Sequence, residues 1–150
     1  MVLAPVLTGK HMCYIIDITR TKAGEEMYIK IDFESEEALY MQLRNQIVIG
    51  IAKNIYQEGD SLPSVRQLAE DIGINMHTVN KAYGVLREEG LIRLDRGKGA
   101  VIALDIDKLK ALDEMRSNLQ IVLAKACCKN ITRKEVHGLV DEIFDEYNLE

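Results

Sequence analysis

Three cysteines in 150 residues, Cys13, Cys127 and Cys128, provide no disulfide framework. The adjacent pair cannot easily bridge within a helix, and reduced thiols suit the cytosol. No apolar run is long enough to span a bilayer. The amino terminus has no basic start followed by a long apolar core, so no secretory leader is read there. These absences predict a cytoplasmic protein with no membrane partner. No Ser-His-Asp or paired-carboxylate arrangement stands out either. The chain is therefore read as a non-enzyme with no cofactor and no metal. Positive charge is also short, the net value being −5. That sum argues against nucleic acid, but distribution matters more than sum. Residues 60–104 hold six basic groups (Arg66, Lys81, Arg87, Arg93, Arg96, Lys98) against six acidic ones, and the remainder carries 13 against 18. A modest positive face on an acidic body follows. At 47% hydrophobic and 29% charged the chain is globular, long enough for one domain or a small domain with an appendage.

Residues 61–103 read as a helix-turn-helix followed by a β-wing. Ser64 caps the first helix, with Gln67 as the other half of a capping box. Leu68, Ala69 and Ile72 form its apolar face, and Gly73 ends it as a left-handed cap. Asn75 caps a second helix, 75–89, that buries Val79, Ala82, Tyr83 and Leu86 and stops at Gly90. Its first turns are polar: Asn75, Met76, His77, Thr78, Asn80 and Lys81. A core helix has no need of so many polar groups there, whereas a recognition helix meets base edges with them. Asn can bond adenine in bidentate fashion and Thr offers a hydroxyl or a methyl, while Lys81 suits phosphate. Each residue alone is equally well a solvated helix face; the array favours DNA. The wing, 91–103, alternates through Leu91-Ile92-Arg93-Leu94 and returns through Ala100-Val101-Ile102-Ala103. Its turn, Asp95-Arg96-Gly97-Lys98-Gly99, has glycines free to take positive φ. Arg96 and Lys98 at the tip suit backbone phosphate or a minor groove. Gly-Lys-Gly lies between two strands and opens no helix, so it is not a nucleotide-binding loop.

Taken whole, residues 36–104 resemble the DNA-binding domain of the GntR family of bacterial transcription regulators. The matching pieces are Leu39 to Leu43, Gly59 to Ala69, Thr78-Val79-Asn80-Lys81-Ala82-Tyr83, Glu89-Gly90-Leu91-Ile92 and Gly97-Lys98-Gly99. The short tail and the Asn-x-x-Thr-Val-x-Lys-Ala-Tyr pattern from Asn75 are most similar to the YtrA-type subfamily. That resemblance implies a small dimerisation tail in place of a metabolite-binding domain. It also implies that Arg66 reaches DNA, that Thr78 is the hydroxyl near the start of the recognition helix, and that Gly97 and Gly99 form the wing tip. Met76, Asn80 and Ala100 depart from the family's usual residues. The departures leave the operator sequence open and the binding mode intact. The candidate DNA-binding set is Ser64, Arg66, Asn75, Met76, His77, Thr78, Asn80, Lys81, Arg96, Gly97 and Lys98.

The flanks are simpler. Residues 1–26 are read as an N-terminal extension, in part vector-derived, because His11-Met12 is a dipeptide that cloning junctions leave. The first twelve residues look like neither strand nor helix, and Tyr14 to Ile18 like an extra edge strand. Tyr28 to Asp32 alternates as a short strand. Ser35 then caps a long helix whose stripe is Tyr40, Leu43, Ile47, Ile51 and Ile55, ended by Gly59. Strand, helix and motif make a winged helix-turn-helix domain over 27–104. Residues 105–150 are read as a helical dimerisation tail. Leu109, Leu112, Leu119, Leu123 and Ala126, with Ile106 and Met115 nearby, line its first helix. The second starts at the capping box Thr132-Arg133-Lys134-Glu135 and presents Val136, Leu139, Val140, Ile143, Phe144 and Tyr147. Two such helices cannot bury both stripes alone, so a second copy closes a four-helix arrangement.

The fold is thus read as mainly α with small β: a winged helix-turn-helix plus a C-terminal α-helical dimerisation hairpin. The function read is that of a homodimeric repressor on double-stranded DNA with a palindromic operator. The alternatives are a winged helix used for protein contact, and a thiol- or metal-responsive regulator using Cys127 and Cys128 with His137. The cysteine spacing fits no standard zinc ligand pattern. A small-molecule effector has no readable pocket, since a tail this short argues for none of any size outside a cleft between two copies.

Overall fold

Successive side chains of a strand point to opposite faces. Tyr28-Ile29-Lys30-Ile31-Asp32 obeys that rule in the computed structural model, which describes residues 4–8, 11–20, 26–104 and 107–147. Ile29 and Ile31 are buried and Lys30 is exposed. They belong to β3 (Glu26–Asp32), the last strand of an antiparallel sheet in the order β1 (Ala4–Thr8), β2 (His11–Arg20), β3. Two sequence expectations are corrected here. The first twelve residues contribute β1 and the start of β2. Tyr14 to Ile18 lies in the central strand, paired with β1 on one side and β3 on the other. Thr8 and His11 face each other in the register of β1 and β2.

The first helix, α1 (Leu39–Ala52), is shorter than its apolar stripe suggests. Ser35 does not cap it. Its hydroxyl accepts from the Glu37 amide in the preceding bend, and Ala38 begins the helix with no side-chain cap. Gln42 does the organising instead. It is buried, its Nε2 donates to the Asp32 and Glu37 carbonyls, and its Oε1 accepts from the Asp32 amide at 2.9 Å. One side chain thereby satisfies two backbone groups at the end of β3 and one just before α1. The helix ends before Ile55 because Asn54 turns left-handed at φ 56. Leu43 and Ile47 are fully buried, while Tyr40, Ile51 and Ile55 pack against the core from its margin.

Helices α2 (Val65–Ile72) and α3 (Met76–Glu88) follow, then the hairpin β4 (Ile92–Asp95) and β5 (Gly99–Ile102). Ser64 accepts from the Gln67 amide as an N-cap, and Gly73 closes α2 at φ 74. The reciprocal half of the capping box is absent: Gln67 Nε2 turns along the helix to Asp71 Oδ1 at 2.8 Å. The strip 59–62 extends the hairpin. It runs beside β5, with Gly59 and Leu62 amides donating to the Ile102 and Ala100 carbonyls and Ser61 bridging Val101. Ile29, Ile31, Leu43, Ile47, Leu68, Val79, Leu86 and Ile102 share one core.

The chain divides into two compact units between residues 105 and 106. The second holds α4 (Lys108–Cys128), capped by Asp107, and α5 (Arg133–Glu146), opened by the capping box of Thr132 and Glu135. Asn130 at φ 58 makes the tight turn between them. Past that turn the two helices do not pack along each other as α1 and α3 do, and no residue of either is buried. Ile106, read as part of the tail's stripe, lies outside the described residues. Among the described residues no helix is long and apolar enough to cross a membrane.

Removing the Gln42 clamp strands the Asp32 amide and two carbonyls. Gln42→Leu should lower unfolding free energy by about 1–3 kcal/mol, read by urea denaturation; an unchanged midpoint would show that the clamp is dispensable.

Candidate nucleic-acid interface

The helix that carries the candidate contacts has one apolar stripe, and the fold buries it. Val79, Ala82, Tyr83 and Leu86 all face the core, as the helical period predicts. Three polar contacts fix the helix. Tyr83 donates its hydroxyl to the Pro63 carbonyl at 2.9 Å, tying α3 to the entry of α2. Burial, and then Tyr56 nearby, push that hydroxyl's pKa well above the ordinary tyrosine value, so it stays a donor. At the other end Arg44 of α1 forks onto Glu89, with Nε–Oε2 at 2.8 Å and Nη2–Oε1 at 2.6 Å. Arg44 Nη1 also donates to Asn45 Oδ1, and Asn45 Nδ2 to Glu37. Near the middle, Lys81 Nζ stands 3.9 Å from the centre of the Tyr40 ring. Sequence reasoning missed all three, since each joins residues far apart in the chain.

What α3 leaves outside is polar. His77, Asn80 and Lys81 are exposed along the side opposite the stripe, Thr78 is half-buried, and Met76 is 51% exposed at the helix start. Asn75 performs the cap: its Oδ1 accepts from the His77 amide at 2.8 Å. That oxygen is engaged, so bidentate pairing to adenine would cost the cap. Ser64 is likewise occupied as the α2 cap. Arg66 is exposed, with only a surface pair to Glu70 at 3.0 Å. Such a pair is worth little and is readily exchanged for a phosphate. Ala100 is buried and faces the core.

The wing turn is organised by Asp95. Its Oδ1 accepts from the Gly97 amide at 2.8 Å and the Lys98 amide at 3.0 Å. The Gly97 bond first, then the Lys98 bond, hold its pKa below the ordinary aspartate value. Gly99 takes φ 76. Gly97 does not enter the left-handed region, contrary to the sequence reading; a Cβ there would sit 3.6 Å from Asp95 Oδ1. Arg96, Gly97 and Lys98 are exposed at the tip.

In the second unit the predicted dimerisation residues all stand exposed: Leu109, Leu112, Leu119 and Leu123 on α4, and Leu139, Val140, Ile143 and Phe144 on α5. The expectation that so short a tail forms no sizeable pocket is corrected. An open apolar groove of about 690 Å³ lies between the helices, lined by Ile121, Val122, Ala126, Cys128, Ile131 and Leu139 among others. It exists because the helices separate beyond the turn. Cys127 and Cys128 are exposed free thiols. His137 Nε2 accepts from Arg133 at 3.3 Å. Among the described residues no group of three His, Cys, Asp or Glu is placed to hold a metal ion.

Comparison with known proteins decides the family. The profile of bacterial regulatory proteins of the gntR family matches residues 37–102. The HTH-type transcriptional repressor YtrA of Bacillus subtilis is 33% identical over 118 residues, covering 77% of this chain and 91% of that protein. The chain belongs to the GntR family. Among solved structures, YtrA from Sulfolobus acidocaldarius, a GntR-family transcription factor, superposes with a TM-score of 0.57 at 38% identity over 67% of this chain and 97% of its own. A transcriptional antiterminator from Listeria monocytogenes EGD-e gives 0.70 at 33% identity over 78% and 90%. This GntR protein is therefore a YtrA-like, DNA-binding transcription regulator with a winged helix-turn-helix. Its relatives carry the names of regulators, not enzymes, in line with the reading from its residues.

The Asp95 turn makes a pH prediction. Its folded pKa is depressed, so its contribution is present above the unfolded value of about 3.9 and is lost as pH falls through the folded one. The Gly97 and Lys98 amide signals should hold steady from neutral pH down to about 5 and shift together below about 4. Asp95→Ala should abolish that step; a step that survives would assign it to another carboxylate.

Proposed function

We propose that this GntR protein is a homodimeric repressor that binds a palindromic operator on double-stranded DNA. The observation that carries the reading is the two-sided α3: one stripe buried to the last residue, the opposite side polar and exposed. Helix 75–89 enters the major groove, and His77, Thr78, Asn80 and Met76 meet base edges. Lys81, Arg66 and the wing residues Arg96, Gly97 and Lys98 meet phosphate. Asn75 and Ser64 contribute through the helix ends they cap, whose amides favour anions. Residues 27–104 are the DNA-binding domain and 105–150 the dimerisation tail.

The exposed stripes of α4 and α5 support the dimer. A monomer with Leu112, Leu119, Leu123, Leu139, Val140, Ile143 and Phe144 all open to water leaves an apolar surface of the kind that marks an interface. A second copy presents the same stripes and covers them in a four-helix arrangement. Two recognition helices then enter successive major grooves, with half-site centres about 10 bp apart or a multiple of it. The repressor role follows the name of the B. subtilis relative. A bacterial regulator of this kind works in the cytoplasm. An effector would act by altering the angle between the two winged domains through the tail.

Duplexes selected from a random pool by the full chain should be palindromic, which tests the whole reading. Binding should weaken steeply with salt, in a log–log slope set by the phosphates contacted. A slope near zero would instead favour a winged helix used for protein contact. Arg66→Ala should lower that slope by about one and weaken every duplex, with the dimer intact. Leu119→Glu and Ile143→Glu should give a monomer on sedimentation and lose DNA affinity with it. A dimer that survives both changes would place the interface elsewhere.

A further inference from the structure

Four glycines at helix ends and turns in the first unit have a conformational reason to be there. Gly59, Gly73, Gly90 and Gly99 all have positive φ. Gly84 has none. It sits inside α3, in ordinary helical backbone, where glycine is the least favourable residue after proline. Nothing in the fold crowds it either: a Cβ built on it meets no atom within 4 Å. Neither backbone strain nor close packing inside the molecule accounts for the missing side chain.

Its position on the helix supplies the reason. Gly84 lies seven residues after His77, four after Asn80 and three after Lys81. At 3.6 residues per turn it falls on their side, opposite Val79, Ala82, Tyr83 and Leu86. Itself half-buried, it is the one residue of that side with no side chain. We propose that Gly84 is where α3 comes closest to the wall of the major groove, so that any side chain there holds the helix off the duplex. The inference rests on the reading that α3 faces DNA. It adds a residue that excludes rather than attracts: the bare backbone lets His77 and Asn80 reach base edges.

The test uses the full chain and a duplex selected by the parent protein from a random pool. Gly84→Ala should raise Tm by a few degrees, roughly 4 °C or more, and yet weaken binding. Gly84→Leu should weaken it further, by about tenfold or more. The salt slope should not move, because no charge has changed. Gly138→Ala is the control: it lies in α5, its Cβ also meets nothing within 4 Å, and the same gain in Tm should come with no loss of affinity. Parent-like binding by both Gly84 variants, with Arg66→Ala weakened, overturns this inference alone. A fall in Tm for Gly84→Ala overturns it too, by revealing an internal role, as does an equal loss in Gly138→Ala, which would make helix stiffening the cause. If Arg66→Ala and Gly84→Leu both bind as the parent does, or the pool yields no duplex, the DNA-facing reading of α3 falls first and takes this one with it.

Discussion

Helix α3 can bury its apolar stripe in only one orientation, and the rest of the first unit is arranged around that burial. Val79 and Leu86 are fully enclosed, and with them α3 lies against α1 and α2. A fully buried Val or Leu contributes about 1.5–3 kcal/mol, so rotating α3 by half a turn would forfeit most of the core. The polar side is therefore displayed as a by-product of packing. Tyr83 and the Arg44–Glu89 fork fix rotation and tilt within that orientation. Both are directional, which hydrophobic contact is not.

The same logic explains the wing. β4 and β5 are each four residues long, too short to hold a hairpin by themselves. Ile92, Val101 and Ile102 anchor the base in the core, and the 59–62 strip adds backbone bonds along β5. The tip depends on Asp95. A basic tip is thus carried on a base that belongs to the core, and only the last few residues project.

Much of this was legible in the sequence where the physics is local. The caps Ser64, Asn75 and Thr132, the left-handed Gly73 and the stripe of α3 all depend on neighbours within one or two turns. Three-dimensional pairings were not legible. Lys81 reads as a phosphate contact because nothing near it in sequence reveals Tyr40 across the ring at 3.9 Å. The role of Gln42 is silent in the sequence because its partners, the Asp32 and Glu37 backbone groups, carry no signal of their own. The stripe of α1 predicts a longer helix because apolar residues continue past Asn54, where the backbone turns left-handed. The first twelve residues read as neither strand nor helix, because their apolar residues do not alternate clearly, although β1 and β2 pair over that stretch.

α4 runs for 21 residues without a break and starts a few positions after the wing ends. At 1.5 Å per residue it is a rod about 30 Å long. A rod of that length is a lever: tilting it by roughly 5° carries its far end through about 3 Å.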